Sequence, residues 1–447
     1  MRHSRQRFAA FFVALVTTST VFTHAASAEE PQATAVTEKQ TAPIAAPPNA
    51  LEAAHVPPAA GASKTSTTGT VLRAIDPTFG ASGDDDSVPS FLRALQTGHD
   101  SLLLGGWIRP GYTYVTDSGF NDDDADGFEF YDARLVGRGD AQLHTDLRAA
   151  FRFNFDVNRG NFAVRDTYGT LEWKGGLVAL DVGLLKTPLS LSLLQTQAKM
   201  QFPVNTLLRP LAFGRDVGAQ LRSQFALGKS VFQLSAMVSN GDGGFRQRRN
   251  LDDKYLVTGR IEAAPLGAME QTESDLANSP FQLTMGASAG HNSALTSDLG
   301  IQDAGAAETR IEGDVRAWYR GATLRAEYIR GHRRSNDAAP SYQRYGFAAQ
   351  AGYVLPLPLR IPRVEVVGRF QQIDVNSSLR GDEATDYIID NAATRVVQLG
   401  ANAYFAKHAA KLQVTYQRTD LLEGTVPTRE RVPVGDALLT SIQFAWL

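Results

Sequence analysis

Period-two alternation is the feature that most limits what this chain can become. From about residue 101 onward, apolar and polar residues alternate in one segment after another. In Leu147–Val157 the apolar set Leu147, Ala149, Phe151, Phe153, Phe155 and Val157 opposes Arg148, Ala150, Arg152, Asn154 and Asp156. In Ile311–Arg320 the set Ile311, Gly313, Val315, Ala317 and Tyr319 opposes Glu312, Asp314, Arg316, Trp318 and Arg320. Ala322–Arg330 and Lys411–Arg418 repeat the pattern. Such alternation puts one residue set on each face of a sheet. A soluble sandwich alternates too. Here, though, the polar face carries full charges on nearly every segment, which suits a wet lumen. The segments also run to about ten residues, the length a tilted strand needs to cross a bilayer. Soluble strands are usually about five or six.

Sixteen such segments can be read, at about 102–115, 127–138, 145–157, 162–173, 177–185, 215–225, 230–239, 254–264, 280–290, 308–319, 322–332, 341–354, 362–374, 393–405, 409–419 and 434–447. An even number closes an antiparallel barrel with both ends on the periplasmic side. Tight connections such as Lys174-Gly175-Gly176 and Gly228-Lys229 alternate with long ones. Short periplasmic turns and long external loops give that rhythm. Two connections break it: the loop after segment three is short and the turn near 265–279 is long. The longest connection, about 186–214, holds Leu, Phe and Pro together with four bases, Lys186, Lys199, Arg209 and Arg215, and no acid. A long, partly apolar loop is poorly suited to bulk water. The expectation is that this third external loop folds into the barrel and narrows the pore, with those four bases as the constriction and anion-binding candidates. The expected fold class is therefore all-β, a transmembrane antiparallel β-barrel with the third external loop in its lumen.

The N-terminus fits export. Arg2, Arg5 and Arg7 precede the apolar stretch Phe8–Val16, and a small-residue segment ends Ala26-Ser27-Ala28. That is a signal-peptide pattern over residues 1–28; the apolar run is too short to span as a helix. Its removal takes away three arginines and no acid, so the formal charge goes from −3 to −6. A mildly acidic chain is not a nucleic-acid binder by bulk electrostatics. Nothing later is long and apolar enough for a transmembrane helix, and lipid cannot satisfy an open sheet edge. Residues 29–98 are rich in Ala, Pro and Thr with an Asp84-Asp85-Asp86 run, and read as a periplasmic linker with a short helix near Phe91–Leu95. Such composition buries too little apolar area to offset ordering entropy. The barrel domain is expected over residues 99–447.

Five short motifs, in order, resemble the phosphate-selective porin O and P family. They are Leu103-Leu104-Gly105-Gly106-Trp107, Arg165-Asp166-Thr167-Tyr168, Val182-Gly183-Leu184-Leu185-Lys186-Thr187-Pro188, Gly214-Arg215-Asp216-Val217-Gly218 and Ser239-Asn240-Gly241-Asp242-Gly243. The resemblance covers about residues 102–447. It implies a sixteen-stranded trimeric outer-membrane porin whose third loop constricts a path for anions such as phosphate or polyphosphate. Two departures stand out. The middle of the third loop reads Phe202-Pro203-Val204-Asn205-Thr206, without the charged pair members often carry, and the last residue is Leu447 rather than an aromatic.

Alternation points Arg134, Arg138, Arg148, Arg152, Arg222, Arg260, Arg316, Arg325, Arg369 and Lys411 into the lumen, with Asp132, Asp156, Glu262, Glu312, Asp314, Glu327 and Glu365 beside them. Cross-strand ion pairing is the plain role for most. A field with excess bases at the narrowest point is the functional one. Gly286-Ala287-Ser288-Ala289-Gly290 spells a nucleophile elbow, but that needs a strand, a turn and a helix, and here it lies within a strand. Asp122-x-Asp124-x-Asp126-Gly127 opens like a calcium loop, yet its twelfth position is Ala133 rather than Glu. With no cysteine and no metal-ligand spacing among eight histidines, neither an enzyme nor a cofactor is expected. Trp107, Trp173, Trp318 and Trp446 suit interface or rim positions. The expected surroundings are outer-membrane lipid and lipopolysaccharide. A non-selective porin and a structural or adhesive barrel are the alternative functions.

Overall fold

The computed structural model describes residues 101–115, 126–158, 161–243, 250, 253–293, 306–334, 341–358, 362–375, 393–423 and 435–446. The expected signal peptide, linker and short helix near Phe91–Leu95 lie outside these residues. So does the acidic loop, apart from Asp126, whose Oδ1 accepts from the Val115 amide at 2.7 Å.

The strands are β1 (Ser101–Val115), β2 (Gly127–His144), β3 (Leu147–Asn158), β4 (Asn161–Trp173), β5 (Val178–Lys186), β6 (Arg215–Leu227), β7 (Ser230–Ser239) and β8 (Leu256–Ala264). Then come β9 (Gln282–Asn292), β10 (Glu308–Tyr319), β11 (Ala322–Arg333), β12 (Tyr342–Val354), β13 (Arg363–Asp374), β14 (Ala393–Ala406), β15 (Ala410–Glu423) and β16 (Gly435–Trp446). Each pairs antiparallel with its chain neighbours, and β1 pairs with β16 to close the barrel. Closure removes the edges that lipid could not satisfy.

Alternation sets an inside-out distribution. On β10, Ile311 and Tyr319 are half exposed, whereas Glu308, Arg310, Glu312, Asp314 and Arg316 are buried. The apolar set faces outward and the charged set faces a filled lumen. On β3 the outward Phe151, Phe153 and Phe155 form a ladder that reaches Phe162 of β4. Gly137 of β2 leaves room for Phe153, which lies where a Cβ would project.

The four tryptophans do not behave alike. Trp173 and Trp446 are outward and exposed, as an interface position requires. Trp107 and Trp318 are buried, which corrects the interface expectation for both. Trp107 Nε1 donates to Asp132 Oδ2 at 2.6 Å, and that partner gives the ring its reason to face inward.

Candidate pore constriction

The connection between β5 and β6, residues 187–214 and here called L3, folds into the lumen and crosses it. A one-turn helix α1 (Leu191–Leu194) starts at Ser190, whose Oγ accepts from the Leu193 amide at 3.3 Å. The same hydroxyl donates to Glu327 Oε1 of β11 at 2.6 Å, and the Ser192 amide donates to Glu327 Oε2 at 3.1 Å. Farther on, Lys411 Nζ of β15 donates to Ala198 O and Met200 O at 3.2 and 2.6 Å. Gln443 of β16 donates to Ala198 O at 2.9 Å, and Asn402 of β14 to Gln201 O at 3.0 Å. The Leu207 amide donates to Gln371 of β13 at 2.8 Å. Inward polar side chains of the wall thus satisfy L3's backbone, which has no sheet ladder of its own.

Burial explains why the loop goes inward. Leu189, Leu191, Phe202, Leu208 and Leu211 are fully buried. Each would forfeit roughly 1.5–3 kcal/mol in an external lid. The wall makes room with glycine. A Cβ at Gly346 of β12 would strike Leu208 and Leu211, and one at Gly290 of β9 would meet Phe213 and Leu189. Those contacts give the glycines of the apparent nucleophile elbow a packing role. Its glycines are seats for L3 and an ion cluster, and Ser288 donates to Glu312 at 2.6 Å. His291, at an odd position of β9, bonds Thr309 on the opposite face.

The motifs that suggested a family meet at the stem of L3. Arg215 Nε donates to Asp166 Oδ1 at 2.6 Å, and both groups are buried. The next carboxylate, Asp216, accepts from the amides of Val217, at 2.9 Å, and of Gly241. The Thr187 amide donates to Gly214 O at 3.0 Å, closing the stem. Gly214 has φ +78, a left-handed conformation glycine adopts without strain. Segments around 166, 187, 215 and 241 therefore form one clamp that fixes where the loop leaves and rejoins the wall.

The four candidate bases separate. Lys186, Arg209 and Arg215 lie toward the β2–β6 wall, whereas Lys199 lies elsewhere, paired with Glu270 at 3.2 Å. Arg215 is committed to Asp166. Lys186 Nζ donates to Leu194 O at 3.1 Å. Arg209 makes no ion pair among the described residues. Its pKa is pushed down to about 9 by desolvation and then by the nearby guanidiniums of Arg215, Arg134 and Arg165. It remains charged at neutral pH, with the Asp132 carboxylate as the weaker, opposing influence.

The lumen-lining bases mostly have partners, as ion-pairing in a barrel wall demands. Arg260 reaches Glu262, Glu312 and Asp314 at 3.0, 3.1 and 2.7 Å. Arg316 reaches Glu262 at 3.0 Å. Arg325 pairs with Glu273 and Glu327. Arg222 pairs with Asp181, and Arg148 with Asp140 and Glu172. Arg369 donates to Val204 O at 3.0 Å and stacks 4.4 Å from the Phe202 ring. Arg152 is buried on the inner face of β3. Arg165, which pairs with Asp156 at 2.9 Å, belongs to the site and was not among the candidates. Its alternation is broken by a bulge opposite Phe153–Phe155, so parity alone could not place it. The motif Arg165-Asp166 was the available signal.

A closed barrel of alternating charge-in, apolar-out strands, constricted by an inserted loop, defines an outer-membrane channel of the porin class. The chain belongs to the phosphate-selective porin O and P family, whose family model matches residues 105–446. No curated protein matches it. Among solved structures it is similar to Salmonella typhi OmpF, with a TM-score of 0.53 and 14% identity, covering 78% of this chain and 98% of that one. It is similar to an anion-selective porin from Comamonas acidovorans, with a TM-score of 0.51 and 14% identity over 78% and 100% of the two chains. Vibrio cholerae OmpT in a trimer form gives 0.52 and 11% over 78% and 100%. At such identities the likeness is one of fold.

Proposed function

We propose that this porin passes small solutes by passive diffusion with a preference for anions such as phosphate or polyphosphate. One observation carries the reading. On the β2–β6 side, among the described residues, Arg134, Arg152, Arg165, Lys186, Arg209 and Arg215 converge about Asp132, Asp156 and Asp166, while Asp140, Glu172 and Asp181 of the same wall pair with Arg148 and Arg222. The β8–β13 side holds bases and acids in closely matched ion pairs. Low-dielectric walls focus the field of the unmatched charges. A guanidinium keeps its charge and offers a fork that fits an oxyanion. Conduction requires attraction weak enough for release. Arg209 supplies attraction without a covalent or metal partner, and its guanidine neighbours keep any bound anion shared rather than trapped.

The protein works in the outer membrane, among lipid and lipopolysaccharide, as a homotrimer, and residues 1–28 direct its export. The trimer form of the similar Vibrio cholerae OmpT supports that assembly, and the apolar outer wall suits lipid. Its work is transport rather than catalysis, since Ser288 and His291 face opposite sides of the wall. The test is the reversal potential of purified protein in a planar bilayer across chloride and phosphate gradients. Anion preference is expected. Equal permeability would make it a general porin, and cation preference would refute the reading.

A further inference from the structure

A second segment enters the barrel, from the end opposite L3. The connection between β8 and β9, residues 265–281, lies at the barrel end that carries the tight turns at 228–229 and 320–321. Short turns mark that end as periplasmic. Instead of turning tightly, the segment packs inward. Thr272, Glu273, Ser274, Asp275 and Leu276 are all buried.

Its contacts go to the middle of L3 and to the wall behind it. The Glu273 amide donates to Lys199 O at 3.2 Å. Its carboxylate accepts from the Gln201 amide at 2.8 Å and from Gln350 Nε2 at 2.9 Å, and pairs with Arg325. Glu270 pairs with Lys199. Ser274 Oγ bonds Glu365 and Tyr404 at 3.0 and 2.7 Å. Leu276 packs with Val354 and Tyr404. L3 residues 199–201 are thus held from both sides, by this segment and by Lys411, Gln413 and Asn402 of the wall.

The exposure of inward side chains shows the effect. Lys411, Gln413 and Gln443 on β15 and β16 are at most 1% exposed. On β3, β4 and β6, by contrast, the Arg148, Arg165 and Arg222 side chains are 42%, 37% and 26% exposed.

From this we propose that residues 265–281 are a second constriction element, a periplasmic strut that pins L3 against the β13–β16 wall and closes that half of the lumen. Solutes are then confined to an eccentric path along the β2–β7 wall, past Arg165, Arg209 and Arg222. The strut determines specificity by exclusion. Without it, solutes would also pass the mixed-charge half, where no sign of charge prevails. Glu273 is the positioning residue that ties the strut to L3.

The test replaces residues 268–278 with a short Gly-Ser turn and records single-channel conductance and reversal potential in potassium chloride. Opening the closed half should raise conductance by about twofold or more and bring the permeability ratio toward unity. Conductance is read independently of the sign of selectivity, so it tests the strut even if the anion reading fails. A heat-modifiable barrel with unchanged or lower conductance would overturn the proposal. If the replacement does not assemble, Glu273→Ala is read instead. It should add noisy excursions to higher conductance levels, and a quiet wild-type trace from that variant would equally overturn it.

Discussion

Replacing Arg209 with Glu tests the electrostatic argument most directly. Arg209 is on the face of L3 that looks toward Arg134, Arg165 and Arg215, and it makes no ion pair among the described residues. Substitution therefore changes the field and breaks no ion pair there. A unit charge about 6 Å from a passing ion in a water-like medium contributes roughly 0.7 kcal/mol. Screening over about 10 Å at 0.1 M salt reduces this to roughly 0.4 kcal/mol. Reversing the charge doubles it to about 0.8, and the effect is opposite for anion and cation. The permeability ratio should therefore shift by about 1.5 kcal/mol, or roughly tenfold toward cations. At 1 M salt, with screening over about 3 Å, the same arithmetic leaves about twofold. The assay is reversal potential for wild type and variant at both ionic strengths. Lys199→Gln is the companion variant: Lys199 sits on the closed side of the lumen beside Glu270. With its charge paired to Glu270 and off the proposed path, it should change the ratio by less than about twofold. An unchanged ratio for the Arg209 variant, or a larger change at Lys199, would refute the assignment of the path.

Three further outcomes follow from particular contacts. Asp166→Ala removes the partner of buried Arg215; that costs about 3–5 kcal/mol at the stem, and the barrel should lose heat-modifiable migration at a lower temperature and show unsteady current. Gly346→Leu puts a side chain where Leu208 and Leu211 sit; overpacking of about 1–3 kcal/mol should unseat L3 and raise conductance, and normal conductance would contradict the seating. His408, in the turn between β14 and β15, bonds Thr272 at 2.7 Å, and burial, then Lys411 and Lys199, holds its pKa well below the ordinary 6.5. Because the unfolded chain binds that proton first, stability should fall as pH drops below about 6.5; urea unfolding at neutral and mildly acidic pH measures it, and His408→Gln should lose this part of the dependence.

The strands were legible because their pattern is imposed twice, by lipid outside and water or charge inside. Segments 230–239 and 308–319 coincide with β7 and β10, β2 runs on to His144 where the reading stopped at 138, and the others differ by a few residues at their ends. The inward course of L3 was legible for a related reason. Its leucines and Phe202 have no favourable place in water. What alternation could not convey is pairing between distant parts of the chain. Lys199 looked like one of four equivalent bases because Glu270 is remote in sequence. The long turn at 265–279 looked like an irregularity, since nothing local shows that Glu273 caps the Gln201 amide. Trp107 and Trp318 were misplaced because a rule about membrane interfaces ignores parity along the strand. Both stand on the inward phase of their strands.

The distribution of acids explains how a loop without one can sit in a charged lumen. Between Lys186 and Arg215 L3 has no carboxylate. The wall and the strut bring carboxylates to it: Glu327 at α1, Glu273 at Gln201 and Asp166 at Arg215. These acids are spent on backbone amides and on the guanidiniums of Arg325 and Arg215, so they anchor the loop and cancel little of the charge near Arg209. Burying a charge is costly unless it is paired and hydrogen-bonded, so most of the lumen must be nearly neutral in detail. The partly exposed inward bases Arg148, Arg165 and Arg222, on β3, β4 and β6, are themselves ion-paired, and Arg209, which makes no ion pair among the described residues, adds its charge on that side. The need to neutralise buried charge and the need for a field at the constriction are thereby met in separate halves of one barrel.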